Sequence, residues 1–221
     1  MTVAVCLLQH LAFLHSIYMR KDNSHAHEAA LLRAWRDDIR QAVEVMNRGG
    51  VILYPTDTIW GLGCDACHAE AVKKVYAIKQ RDDAKALISL IDSEAKLPFY
   101  VPDIPDVAWD LVEMADKPLT LIYDHVRNLA PNLLAADGSA ALRVTREPFS
   151  RELCMRMRRA VVSTSANVSG EPSPTCFADI PQALLQSVDY VCTSRRDEPP
   201  QARPSSIIKL GSGGLIEIIR P

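Results

Sequence analysis

From Trp35 onward the chain switches repeatedly between two hydrophobic periods, and this alternation narrows the possible folds more than any other feature. Ile39, Ala42, Val43 and Met46 recur at i, i+3, i+4 and i+7, the stripe of an amphipathic helix. Asp37 and Asp38 stand in its first turn, Arg48 in its last, and Gly49 stops it. Val51 to Tyr54 is a short apolar run ended by Pro55, which predicts a buried strand. Helical spacing returns over 69–79 through Val72, Val75 and Tyr76, and further helices are expected at 107–115, 148–159 and 180–187. Strands are expected at 86–91, 119–123, 141–145, 160–164 and 189–192. Ser206 to Leu210 and Leu215 to Ile219 flank Gly211-Ser212-Gly213-Gly214 as a hairpin. Such a pattern predicts an α/β fold, a twisted mixed sheet flanked by helices, in one domain over 35–221. Residues 1–34 are expected to form a loosely ordered N-terminal extension.

Composition sets the limits on partners. The 25 basic and 27 acidic residues leave a net charge of −2, so nucleic acid can be bound only by a local patch. Six scattered cysteines read as reduced thiols of a cytoplasmic protein. The apolar stretch Met1 to Met19 is broken by Gln9, His10, His15 and Ser16, and its charges, Arg20 and Lys21, follow it; neither a secretory signal nor a membrane anchor is expected. His25 and His27 in a polar stretch read as solvated, and no metal site is expected. There is no G-x-x-x-x-G-K-[ST] loop, and Gly61-Leu62-Gly63 lacks the third glycine of a dinucleotide fingerprint. Cys64-Asp65-Ala66-Cys67-His68 matches the haem-attachment pattern only literally, and Gly61 to Ala66 is read as a turn carrying two incidental thiols.

Four segments place polar residues where a strand or helix ends. Tyr54-Pro55-Thr56-Asp57-Thr58 follows the first buried strand, where its hydroxyls and carboxylate either cap the next element or meet a ligand. Lys79 and Arg81 close a helix; they either complement its dipole or present an ammonium and a guanidinium to an anion. They project to one side if the chain extends after Ile78. Arg143, between Leu142 and Val144, falls on the opposite strand face from both, so it needs an acidic partner or a wet anion-binding cavity. Ser163 to Thr175 follows an apolar strand and is dense in hydroxyls and backbone N–H groups, which suits phosphate or ribose binding.

Taken together, Gly49 to Gly63, Ile78-Lys79-Gln80-Arg81, Leu142-Arg143-Val144 and Ser163 to Thr175 resemble the YrdC-type threonylcarbamoyl-AMP synthase family. Lys79 and Arg81 match its K-x-R element; Ser165 and Asn167 match its S-x-N element. The resemblance runs from about Trp35 to the C-terminus. It implies a YrdC-like sheet around a concave electropositive cavity. It also implies conversion of L-threonine, bicarbonate and ATP, with Mg2+ accompanying the nucleotide, to threonylcarbamoyl-AMP and pyrophosphate. The product then goes to downstream tRNA-modification proteins acting at adenosine 37. By motif, Lys79, Ser139, Ser165, Ser173 and Arg220 are expected to hold ATP. Thr56, Arg143, Ser163 and Ser205 are expected to surround threonine, and Arg81 and Asn167 to complete the anion clamp. Thr120 sits where the family has a P-G-P-x-T turn, and Lys79, Arg81, Ser165 and Asn167 form the expected catalytic set.

The chain departs from that pattern in two places. Asp82-Asp83-Ala84-Lys85-Ala86-Leu87 lacks two prolines and adds two acids after the K-x-R element; Pro204-Ser205-Ser206-Ile207-Ile208-Lys209 replaces E-S-T-V-V-D. The chain ends at Pro221 and is expected to lack the additional C-terminal domain of longer members. Two rival readings follow. One is a diverged, inactive member binding structured RNA weakly through Lys73, Lys74, Lys79, Arg81 and Lys85, or through Arg151, Arg156, Arg158 and Arg159. The other is a different carbamoyl-adenylate transfer. Lys79→Ala and Arg81→Ala are expected to remove activity and leave the fold intact, neither residue anchoring the core.

Overall fold

The computed structural model describes residues 27–81, 87–199, 204–211 and 215–221. The chain divides into two compact units, residues 1–36 and 37–221. In the first, residues 27–34 form helix α1. The second, opened by α2 (Arg36–Asn47), carries nine strands among its described residues. In chain order these elements are β1 (Ile52–Tyr54), β2 (Gly61–Gly63), α3 (Ala69–Lys79), β3 (Ile88–Ile91), α4 (Leu97–Tyr100), α5 (Asp106–Met114), β4 (Leu119–Tyr123), β5 (Ala140–Val144), α6 (Pro148–Met157), β6 (Val161–Ser165), α7 (Gln182–Gln186), β7 (Tyr190–Val191), β8 (Ser206–Leu210) and β9 (Ile216–Arg220). The strands form one mixed sheet in the order β7-β1-β2-β6-β3-β5-β4-β8-β9. The pairs β1/β7, β3/β5 and β4/β8 are parallel and the rest antiparallel.

Helices α2, α3 and α6 bury the apolar stripes that their spacing predicts, with Val43 of α2 half-buried. Ile39, Ala42 and Met46 of α2, Val72 and Val75 of α3, and Phe149, Leu153, Cys154 and Met157 of α6 are buried. Each fully buried large apolar side chain is worth about 1.5–3 kcal/mol against exposure. Gly49, at φ 74°, ends α2 in the left-handed region that glycine enters without strain. Asp38 does more than complement a dipole: it is buried and accepts hydrogen bonds from the Tyr190 hydroxyl (2.6 Å) and from the Thr193 and Ser194 N–H groups (3.0 and 2.7 Å). It thereby ties α2 to the chain around β7.

One expectation is overturned. Gly61-Leu62-Gly63 is not a turn but an interior strand, paired with β1 on one side and β6 on the other. Glycine allows the close approach: a Cβ at Gly63 would stand 2.6 Å from the Tyr54 ring and 2.9 Å from the Val162 carbonyl oxygen. Gly63→Ala is therefore expected to lower stability by about 1–3 kcal/mol, the range for overpacking a filled interior. Urea denaturation checks it, with Gly61→Ala as the milder comparison, since its Cβ would meet the Thr164 carbonyl oxygen at 3.2 Å. The predicted 86–91 strand is seen from Ile88, and residues 82–86 lie outside the described set, as do 212–214 of the predicted hairpin turn. His25 lies outside it as well; His27 is exposed.

Register decides what the sheet presents. Gly61 pairs with Ser165, Ile88 with Ser163 and Ala141, Thr120 with Ile207, and Ile207 with Arg220. Side chains two apart on a strand share a face. Gly61, Ser163, Ser165, Ile88, Arg143, Thr120, Ile207 and Arg220 therefore share one face. Leu62, Val162, Leu142 and Leu121 occupy the other and are buried.

Candidate active site

The first face carries a cavity of about 220 Å³. Thr58, Ile59, Gly61, Arg81, Leu87, Ile88, Arg143, Ser163, Thr164, Ser165, Ser173, Pro204, Ser205, Ile207 and Arg220 line it. Three arginines and six serine or threonine residues line this space, and among the described residues no aspartate or glutamate does.

Lys79 is reached by an unexpected route. The helix continues through Lys79, and the chain then reverses at Gln80, whose φ of 48° is left-handed. The Gln80 and Arg81 N–H groups donate back to the Ala77 and Tyr76 carbonyls at 3.1 Å, closing the helix end. This reversal, rather than extended chain after Ile78, brings 79 and 81 to one region. Their roles then diverge. Arg81 lines the cavity. Lys79 is 1% exposed and donates to the backbone carbonyls of Ser165 (2.6 Å) and Asn167 (2.8 Å), while its own carbonyl accepts from the Ser169 N–H at 2.9 Å. Far from standing clear of the core, Lys79 is among the largest fully buried side chains, because it clamps the hydroxyl-rich loop from beneath. Burial, with Arg81 nearby, pulls its ammonium down to about 8.

The loop is fixed from further sides. Ala166 N–H donates to the Trp60 carbonyl at 3.0 Å, and the Asn167 amide donates to the carbonyls of Val168 (3.0 Å) and Glu171 (2.6 Å). Asn167 Oδ1 is buried with no hydrogen-bond partner among the described residues. Beyond Ser173, Phe177 packs on Trp60 with ring centroids 4.9 Å apart, and the Arg196 guanidinium lies over the Phe177 ring, 4.5 Å from its centroid.

Arg143 finds both of the answers its sequence position allowed. It is 3% exposed, lines the cavity, and its Nη2 stands 2.9 Å from Asp57 Oδ1 in an ion pair. Across β4 and β8, Thr120 and Ser205 share a hydrogen bond of 2.9 Å between their hydroxyls. Arg220 donates through Nε to the Ser205 carbonyl at 2.8 Å and through Nη2 to its hydroxyl at 3.3 Å. Burial lowers the Arg81 guanidinium, and burial followed by the Arg143 charge lowers that of Arg220.

Of the expected site residues, Arg81, Arg143, Ser163, Ser165, Ser173, Ser205 and Arg220 line one cavity. Lys79, at the end of α3, and Asn167, in the loop after β6, are not among the lining residues. Thr56 lies within the turn before β2, its hydroxyl donating to the Ile59 carbonyl at 2.7 Å and accepting from the Thr58 N–H at 3.1 Å. Ser139 is outside the lining; its N–H donates to Asp137 Oδ1 at 3.0 Å, and alternation puts it on the Arg143 face just before β5. Thr58 and Gly61, from segments already marked by their pattern but given no role, also line the cavity, as do Ile88 and Ile207, which were not expected there. Alternation from Ser205 points to Ile207, and pairing alone reveals Ile88. Among the described residues no three His, Cys, Asp or Glu side chains group around a metal position, and no helix is long and apolar enough to cross a membrane.

Comparison with known proteins identifies the fold and the family. The Sua5/YciO/YrdC family model, described as telomere recombination, matches residues 44–221. The threonylcarbamoyl-AMP synthase of Stutzerimonas stutzeri is 34% identical over 188 residues, 85% of this chain and 97% of the relative. That of Pseudomonas fluorescens is 34% identical over 193 residues, 86% and 100% of the two chains. Among solved structures, P. abyssi Sua5 in complex with L-threonine aligns with TM-score 0.69 at 26% identity, over 78% of this chain and 50% of that one, so this chain spans about half its length. E. coli YciO aligns with TM-score 0.72 at 24% identity, over 82% and 87%, and shares the fold. Matched by the family model over residues 44–221 and by relatives at 34% identity over most of its length, the chain belongs to the Sua5/YciO/YrdC family.

Proposed function

We propose that this chain is an L-threonylcarbamoyladenylate synthase, a nucleotidyltransferase that makes threonylcarbamoyl-AMP and pyrophosphate from L-threonine, bicarbonate and ATP. The observation that carries the reading is the convergence of Arg81, Arg143 and Arg220 with the Ser163–Ser165 strand end around one cavity. The threonine amine adds to the bicarbonate carbon and water leaves, giving a carbamate. A carbamate oxygen then attacks the α-phosphorus, and the bond to pyrophosphate breaks. Two anions must meet, so fixed cations and N–H donors are what the step requires, and no covalent nucleophile is needed.

Arg143, with Ser163, Ser205 and Thr56, takes the amino acid. Arg81, Arg220, Ser165 and Ser173 take the phosphates and sugar of ATP, and Ser139 extends that subsite along β5. Lys79 and Asn167 hold the loop that carries Ser165. Mg2+ accompanies ATP on phosphate oxygens and water, as this ion prefers. The product passes to cytoplasmic proteins that modify adenosine 37 of tRNA. The rival RNA reading finds little support: Lys79 is buried, Arg156 pairs with Glu152 at 2.6 Å, and Arg159 pairs with Asp65 at 2.9 Å.

The test is ATP consumption with mass detection of the adenylate. Omitting threonine or bicarbonate is expected to abolish pyrophosphate release. Release that ignores threonine sinks the assignment, and release restored by a different amine acceptor points to another carbamoyl-adenylate transfer.

A further inference from the structure

Building on that reading, we propose that Asp57 is the positioning residue for Arg143, fixing its guanidinium from outside the cavity so that the substrate carboxylate meets a preset fork. The Nη2–Oδ1 separation is 2.9 Å, and the two side chains are 3% and 14% exposed, so solvent screens the pair little. Asp57 is not among the residues lining the Arg143 cavity. It instead faces a second cavity of about 250 Å³, shared with Lys117, Arg146 and Glu147. Asp57 thus holds Arg143 from a side the substrate does not occupy.

The neighbouring charges are already committed. Arg195 pairs with Glu147 at 2.8 Å and with Glu198 at 2.7 Å. Glu147 also accepts the Phe149 and Ser150 N–H groups that open α6, at 2.9 and 2.7 Å. Asp57 also adds its charge to the field around Arg195, but its ion pair is with Arg143. Arg143 Nε, meanwhile, is buried with no hydrogen-bond partner among the described residues. Asp57 Oδ1 likewise makes no hydrogen bond among the described residues, so the pair acts through charge at 2.9 Å. A guanidinium is a rigid planar fork, and drawing its Nη2 end toward Asp57 leaves the other donors together for the cavity. Asp57 acts on threonine through Arg143 and touches no reacting atom.

Calorimetric titration of the full chain with L-threonine and, separately, with ATP tests this. Asp57→Asn removes the charge at constant shape. Threonine is expected to bind on the order of 10-fold more weakly, as for loss of one charge-assisted contact, while the ATP affinity stays within about twofold. A mere structural counter-ion would move both affinities or neither. Asp57→Glu keeps the charge but shifts the carboxylate by one methylene, and threonine alone is expected to weaken by about threefold or more, the response of a position-sensitive contact. If Asp57→Asn fails to fold, Asp57→Glu decides. Threonine affinity unchanged in the folded variants overturns the positioning role alone. Wild-type chain that takes ATP but no threonine overturns the functional reading beneath it.

Discussion

Lys79→Ala is expected to lower adenylate formation by about 10²–10³-fold at saturating substrates, the usual cost of losing one preorganised electrostatic element. The truncation also strands the Asn167 carbonyl oxygen, at about 1–3 kcal/mol, whereas the Ser165 carbonyl keeps the Asn167 N–H at 2.9 Å, and it relieves the burial of a charge. A lower unfolding midpoint with a preserved circular dichroism spectrum is the expected companion. The wild-type pH dependence gives an independent check. With its ammonium near 8 when folded, against an ordinary 10.5, Lys79 loses its proton as pH rises through about 8, and activity is expected to fall with it. Stability moves the other way. Between about 8 and 10.5 the unfolded chain binds more protons at this site, so unfolding becomes harder as pH rises, and this increment disappears in Lys79→Ala. Activity that holds level through pH 9 would falsify the assignment of Lys79 as the loop clamp.

Arg143→Leu is expected to raise the threonine dissociation constant on the order of 100-fold while changing ATP binding far less, because a carboxylate loses its charged fork. The substitution also takes the partner from half-buried Asp57, which keeps the Arg195 charge nearby, a destabilisation of about 1–3 kcal/mol. Arg143→Lys is the control that keeps the charge and loses the planar geometry. It is expected to fold well and to bind threonine weakly, since a point charge does not replace a fork. Equal losses for threonine and ATP in separate titrations would reassign Arg143 to the nucleotide.

Much of this arrangement was legible in the chain itself, and the exceptions are instructive. The period of α2 and α3, and the runs of β1, β4, β5 and β8, follow from hydrophobic spacing because each element buries one face. The isolation of Arg143 from Leu142 and Val144 followed from strand alternation. Alternation left open whether an acid or a cavity would satisfy it; the fold supplies both, Asp57 behind and the pocket in front. Gly61-Leu62-Gly63 misled, since glycine has little strand preference, and only the close approach of Tyr54 and Val162 makes it the residue required. The burial of Lys79 was equally hidden. A terminal helix lysine is ordinarily solvated, and its carbonyl acceptors lie 86 and 88 residues further along the chain.

The sequence by itself determined most of the elements, the face of β5 that carries a charge, and the family, because these rest on local periods and on motifs contiguous in the chain. Tertiary structure decided which of the four polar segments share a cavity, and which cation faces substrate and which grips the loop. Strand order and register set those relations between residues far apart in sequence, and no local pattern encodes the register of β6 against β2 and β3.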